Sequence, residues 1–144
     1  MAESTQCLAC DTVLGAQVAP GGIIYQSEHW LVDHHFGAIM KGFLIIKSRR
    51  HCEHVAQLTP DELTDFGRVV GLTSKALTEV MSPAKVYVCS WGESATHVHW
   101  CLIPRSDDMP ANGIEVTTNL WDGRWSCTAE EAAEVADQVR DLMR

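Results

Sequence analysis

The sequence predicts an α+β fold, an antiparallel sheet of about five strands with one principal helix and a short C-terminal helix. Three observations carry that prediction. Short apolar, β-branched and aromatic runs bounded by Gly and charge fall in two groups, residues 21–47 and 85–103. Between the groups lies one stretch with helical periodicity and an explicit start signal. The resulting order βββαββα suits a sheet with a helix on one face, rather than alternating parallel βα units.

The first group comprises "GGIIYQ" (21–26), "HWLVDHH" (29–35) and "GFLIIK" (42–47), three strands in succession forming a meander. In "LTPDEL", Thr59 is placed as N-cap and Pro60 as the first helical residue. Glu62 completes a capping box, and Leu58 with Leu63 is positioned as a hydrophobic staple. Leu63, Phe66, Val70, Leu77 and Met81 continue one apolar face, and Ser82-Pro83 stops it. "KVYVCS" (85–90) and "HVHWCLI" (97–103) form the second strand pair. Residues 105–127, rich in Asp, Asn, Gly and Pro, read as a long loop with partial order in "NLWDGRW". "TAEE" then caps a closing helix over 128–144.

A chain of 144 residues that is 46% hydrophobic is expected to form a single domain over 1–144 with a real core. The first ten residues, "MAESTQCLAC", have neither a basic leader nor an apolar run. No stretch approaches the roughly 20 apolar residues that span a bilayer, so a cytoplasmic protein without a membrane partner is expected. In that compartment the six cysteines read as free, metal-bound or catalytic before they read as disulfides. A formal charge of −8 argues against nucleic acid as a partner, since broad binding relies on Lys and Arg neutralising phosphates. The local "KSRRH" (47–51) can still meet a small phosphorylated ligand.

Placing "HVHWCLI" on a strand sorts its side chains by period two. Val98, Trp100 and Leu102 share a face apolar enough to be the core side; His97, His99, Cys101 and Ile103 share the other, toward a cleft or second layer. On these residues alone, the histidines read equally as a buried hydrogen-bonded pair or as chemistry. "CLAC" adds Cys7 and Cys10 at the spacing that lets two thiolates reach one tetrahedral ion. A redox pair is the alternative, although no strand of a βαβ unit precedes it. The two further ligands of a zinc site would come from His29, His34, His35, His51, His54, His97 and His99. "HCEH" (51–54) lacks the HExxH spacing of a metalloprotease.

These motifs together resemble the histidine triad (HIT) family. "GFLIIKSRRH" is similar to the strand and basic turn that reads roughly G-H-T-L-V-I-P-K-R-H there, and "HVHWCLIP" to the signature HφHφHφφ. The N-terminal CxxC, "IYQSEHWLVD", "LTPDEL" and "VYVCSWGES" follow in the same order, and only the stretch after Arg105 matches weakly. The resemblance implies a nucleotide-binding homodimer that hydrolyses or transfers nucleoside monophosphates from phosphoramidates, phosphoanhydrides or sugar phosphates. The family's nucleophile falls on His99, where a neutral imidazole attacks the α-phosphorus to form a nucleotidyl-histidine. It also implies a structural Zn²⁺ held by Cys7, Cys10, His51 and His97, which separates the two neighbouring histidines by role.

Further substrate contacts implied by the resemblance fall on Ser90 and Ser94 for the α-phosphate, and on Asp33 or His34 for ribose hydroxyls. Trp121 and Trp125 stack on a base, wall the cleft or pack on the domain. Two departures stand out. The third signature histidine is Cys101, a thiol with pKa about 8.5 and a weak hydrogen bonder. Gly42 or Phe43 stands where the family carries a histidine before the basic turn. The galactose-phosphate uridylyltransferase branch also lacks the third histidine and works through the middle one. A catalytically weak nucleotide sensor or scaffold with a structural zinc is therefore the alternative function.

Overall fold

A computed structural model describes residues 5–37 and 39–144. Residues 1–4 of the stretch read above for a leader lie outside them. The five predicted strands are all present: β1 (Tyr25–Gln26), β2 (Trp30–His34), β3 (Leu44–Ser48), β4 (Lys85–Cys89) and β5 (His99–Arg105). They form one antiparallel sheet in the order β1-β2-β3-β5-β4, which places β5 between β3 and the edge strand β4. The first strand is shorter than expected. Gly21 and Gly22 sit at φ 78° and 75°, and a Cβ on Gly21 would stand 2.6 Å from the Cβ of Ala136, so this chain bends against a helix instead of extending.

The principal helix, α2 (Pro60–Met81), starts as expected: Thr59 accepts the Glu62 N–H and Glu62 accepts the Thr59 N–H. Its buried face runs through Val69, Thr73, Ala76 and Leu77, and Leu63 points outward at 46% exposure. Leu63 thus departs from the expected inward face, because the helix meets the sheet through its middle turns. The C-terminal helix, which we label α4 (Ala129–Met143), has the Thr128–Glu131 capping box and packs beside α2. Both cover one sheet face, burying Trp30, Val32, Leu44, Ile46 and Leu102. Among the described residues no helix is long and apolar enough to cross a membrane.

Two helices cover the other face, and neither was expected. The CxxC lies on α1 (Leu8–Leu14), with Cys7 at its N-cap. Residues 105–127 are not one long loop: α3 (Gly113–Asn119) and a 3₁₀ turn over Leu120–Asp122 fold onto the sheet. The Asn112 side chain caps α3 by accepting the Glu115 N–H. Val116 and Leu120 close a second apolar cluster with Met40, Phe43, Cys101 and Ile103.

Arg50 is held in the turn after β3 by Glu62, whose carboxylate it meets at 2.9 Å on both oxygens. That pairing, with burial opposing it, holds Glu62 down from 4.5 to about 2. A carboxylate depressed in the folded state adds stability above its unfolded pKa and loses it on acidification. The advantage of wild type over Glu62→Gln in urea-unfolding midpoint should therefore shrink between pH 4.5 and about 2, and an unchanged difference across that range would refute the clamp.

Candidate functional site

Four ligand atoms from three parts of the chain converge where α1 meets the start of β5. The ligand atoms of Cys7, Cys10, His51 and His97 lie within 4.8 Å of one another. Cys7 Sγ and Cys10 Sγ each stand 3.5 Å from His97 Nδ1. Cys10 Sγ is 3.2 Å from His51 Nδ1, and the two Nδ1 atoms are 3.1 Å apart. Tetrahedral zinc with ordinary Zn–N and Zn–S bonds sets its ligand atoms roughly 3.3–3.8 Å apart, so the donor set and spacing fit that ion. The tautomer of His97 fits too. Its Nε2 donates to the Ser48 carbonyl at 2.7 Å, leaving the Nδ1 lone pair facing the thiols. As a bare thiol Cys10 is pushed up to about 11 by burial and by Cys7, a bias that a bound dication reverses. The cluster closes with four protein ligands and leaves no open position, which marks it as structural.

His99 is two residues further on and is separated from the cluster by the peptide geometry itself. Its Nδ1 donates to the His97 carbonyl at 2.7 Å, so Nε2 is the unprotonated nitrogen of a ring that lines the cleft. The cleft has a volume of about 530 Å³, between the loop after β4 and the α3 layer. Ser94, Cys101, Phe43 and Trp121 also line it. An annex of about 130 Å³ shares His35, Ile45, Ala95 and His99 with the cleft, and its far wall is Leu8 and Ala9, the two residues between the cysteines. His99 therefore stands between two chambers.

The remaining predicted residues are distributed unequally. Ser94 lines the cleft, whereas the Ser90 hydroxyl donates to the His99 carbonyl at 2.7 Å and so braces the strand. Cys101 is the cleft floor at 3% exposure, with its thiol pushed up to about 12 by burial and then by Cys89. Asp33 lines the annex, paired with Lys47 at 2.8 Å, and Lys47 also donates to Thr12 of α1. Burial raises the Asp33 carboxyl despite that pairing. His34 corrects the simple alignment. Its side chain is fully buried; Nε2 accepts the Gly42 N–H and Nδ1 donates to the His35 carbonyl, each at 3.0 Å, so it does not reach the cleft.

It is His35 that enters the cleft. Its ring stacks on Phe43 with centroids 4.6 Å apart, and burial, followed by the neighbouring His34 and Lys47, pushes it down to about 4. Trp121 tilts against both rings, while Trp125 packs on the second apolar cluster under Arg124. Thr117 and Thr118 of α3 complete the wall. The sequence signal that would have revealed α3 is the Asn112–Glu115 cap spacing.

A family model described as the HIT domain matches residues 16–108, well over half of the chain. The chain belongs to the HIT family. It is 26% identical over 103 residues to an uncharacterised HIT-like protein of Methanocaldococcus jannaschii, covering 69% of this chain and 78% of the relative. Among solved structures, a hypothetical histidine triad nucleotide-binding protein of Sulfolobus tokodaii superposes with TM-score 0.73 at 16% identity. That alignment covers 95% of this chain and 91% of the other. A zinc-bound histidine triad family protein of Mycobacterium smegmatis gives 0.73 at 18% identity, covering 98% and 95%. These neighbours share the HIT fold. The α3 wall of the cleft, at Thr117, Thr118 and Trp121, lies beyond the matched residues.

Proposed function

We propose that this HIT protein binds a nucleotide across the two chambers and cleaves or transfers it at the α-phosphate through a covalent intermediate on His99. The observation that carries this reading is the His99 tautomer: a backbone carbonyl holds the proton on Nδ1 and leaves the Nε2 lone pair for phosphorus. The small apolar annex suits the nucleoside, while the cleft takes the α-phosphate and whatever is attached to it. Loop 92–95 supplies backbone N–H groups and the Ser94 hydroxyl for the phosphate oxygens.

Structural zinc at Cys7, Cys10, His51 and His97 pins α1 over the annex, and its need for reduced thiolates supports a reducing, cytoplasmic setting. β4 is an edge strand with exposed Val88, and exposed Trp91 follows it, which supports a homodimer through that edge; a solution mass of one chain would refute it. To test the function, wild type is incubated with nucleoside phosphoramidates, dinucleoside polyphosphates, nucleotide sugars and activated nucleotide esters. Release of a nucleoside monophosphate, or its transfer to an acceptor, is expected from at least one class. The buried Cys101 in the third signature position favours the sensor as second reading, and tight nucleotide binding with no turnover across the panel would establish it.

A further inference from the structure

We propose that chemistry at His99 is confined to nucleotides whose leaving group is a weakly basic oxygen carrying no phosphate, such as the carboxylate of a mixed acyl phosphate anhydride or an acidic phenolate. This deepens the reading above and rests on it. Two features of the 530 Å³ cleft support it: what can give a proton there, and what can neutralise charge there.

No lining group is suited to protonate a departing atom. Cys101 follows His99 by two residues and so shares its face of β5, but it is the buried floor, and its thiol, at about 12, is a poor acid. His35 accepts the Gly37 N–H on Nδ1 at 2.9 Å, so its proton sits on Nε2. The ring, held near 4 and stacked on Phe43, is neutral at physiological pH; its N–H can hydrogen-bond but does not surrender the proton. What remains among the described residues are the hydroxyls of Ser94, Thr117 and Thr118, which are weaker acids still, and the exposed carboxylate of Glu93, which accepts hydrogen bonds and has no proton to give. A leaving atom must therefore depart with its electron pair unprotonated, and the rate follows its basicity.

Charge points the same way. Among the described residues no Lys or Arg lines the cleft, and its one formally charged side chain is Glu93. Lys47 borders only the annex, where Asp33 and Thr12 hold it. A departing di- or polyphosphate would meet a carboxylate and no cation, opposite to the arrangement that stabilises phosphoryl leaving groups. The walls of Phe43, His35 and Trp121 instead suit a flat, uncharged body. In the first step the His99 Nε2 lone pair forms the N–P bond while the P–O bond breaks, its electron pair leaving on the carboxylate or phenolate oxygen. In the second, water forms a new P–O bond, the N–P bond breaks, His99 regains its lone pair, and one proton passes to solvent.

The test measures kcat/KM for nucleoside 5′-phosphate aryl esters of graded phenol acidity, with a matched phosphoramidate and dinucleoside polyphosphate, for wild type and Cys101→His. Wild type should lose roughly tenfold per unit of phenol pKa and cleave the phosphoramidate at least about 10²-fold more slowly than the nitrophenyl ester. Cys101→His, which adds a group able to carry a proton, should flatten the slope. A wild-type slope under about twofold per unit would overturn the proposal without any variant. So would phosphoramidate or polyphosphate turnover equal to that of the nitrophenyl ester. Absence of both ester turnover and a nucleotidyl adduct would instead remove the underlying function and the proposal with it, a different result from a flat slope with turnover.

Discussion

Replacing His99 with Ala should lower kcat by roughly 10³-fold or more while leaving nucleotide affinity within a few fold. The residue lines the cleft as a half-buried ring, and no other cleft residue presents an imidazole nitrogen with the same preparation. His35 offers Nε2 with its proton on, because Gly37 occupies Nδ1. His97 has both nitrogens committed, one to Ser48 and one to the thiol cluster. No neighbour can substitute for it as nucleophile. Intact-protein mass spectrometry during turnover should show one nucleotidyl group on wild type and none on the variant. Activity of His99→Ala within tenfold of wild type would end the assignment. Binding is expected to persist because the annex walls, Leu8, Ala9, Phe36 and Ile45, are untouched.

Metal removal should have the second large effect, on stability first and on ligand binding through it. The protein as isolated should contain roughly one zinc per chain, lost in Cys10→Ser. Losing the metal should cost about 3 kcal/mol or more and lower Tm accordingly. Apart from the buried Asp11 and Thr12, the short α1 has little else to hold it: Leu8 and Leu14 are 50% and 57% exposed, and the helix spans seven residues. Its release would free one annex wall and withdraw Thr12 from Lys47, so nucleotide Kd should rise roughly tenfold, as apolar burial at the annex is lost. Thermal unfolding with and without a chelator, followed by metal analysis, decides the point. An unchanged Tm with no bound metal would refute the structural site.

Several parts of this architecture were readable because their causes are local. The α2 start is a set of bonds between residues three apart, and its spacing is written in "TPDEL". The two-faced character of β5 follows from strand alternation: Val98, Trp100 and Leu102 face the α2/α4 side, and Cys101 and Ile103 the other. Alternation also separates the two candidate ribose contacts, with Asp33 at the annex and His34 turned into the other layer. Moving from His34 to His35 changes which layer the side chain enters, and no composition rule resolves a slip of one residue. Leu63 shows the same limit for a helix, whose apolar stripe tells which side is inward only where something packs against it.

By itself, then, the sequence determined the α+β class, the strand order along the chain, the capped helices and the candidate residues of a HIT signature with its CxxC. Motif spacing left seven histidines open and the HIT resemblance pointed to His51 and His97; the tertiary structure brings those two to the cysteines, since Cys7 and His97 are 90 residues apart and their 3.5 Å approach depends on how α1 docks on the sheet. It also decided that α3 walls the cleft, that Lys47 and Asp33 are locked together at the annex, and that Cys101 is the buried floor of the cleft that His99 lines. Local preferences are set by neighbours a few residues away; a reactive site is set by which distant surfaces exclude water together.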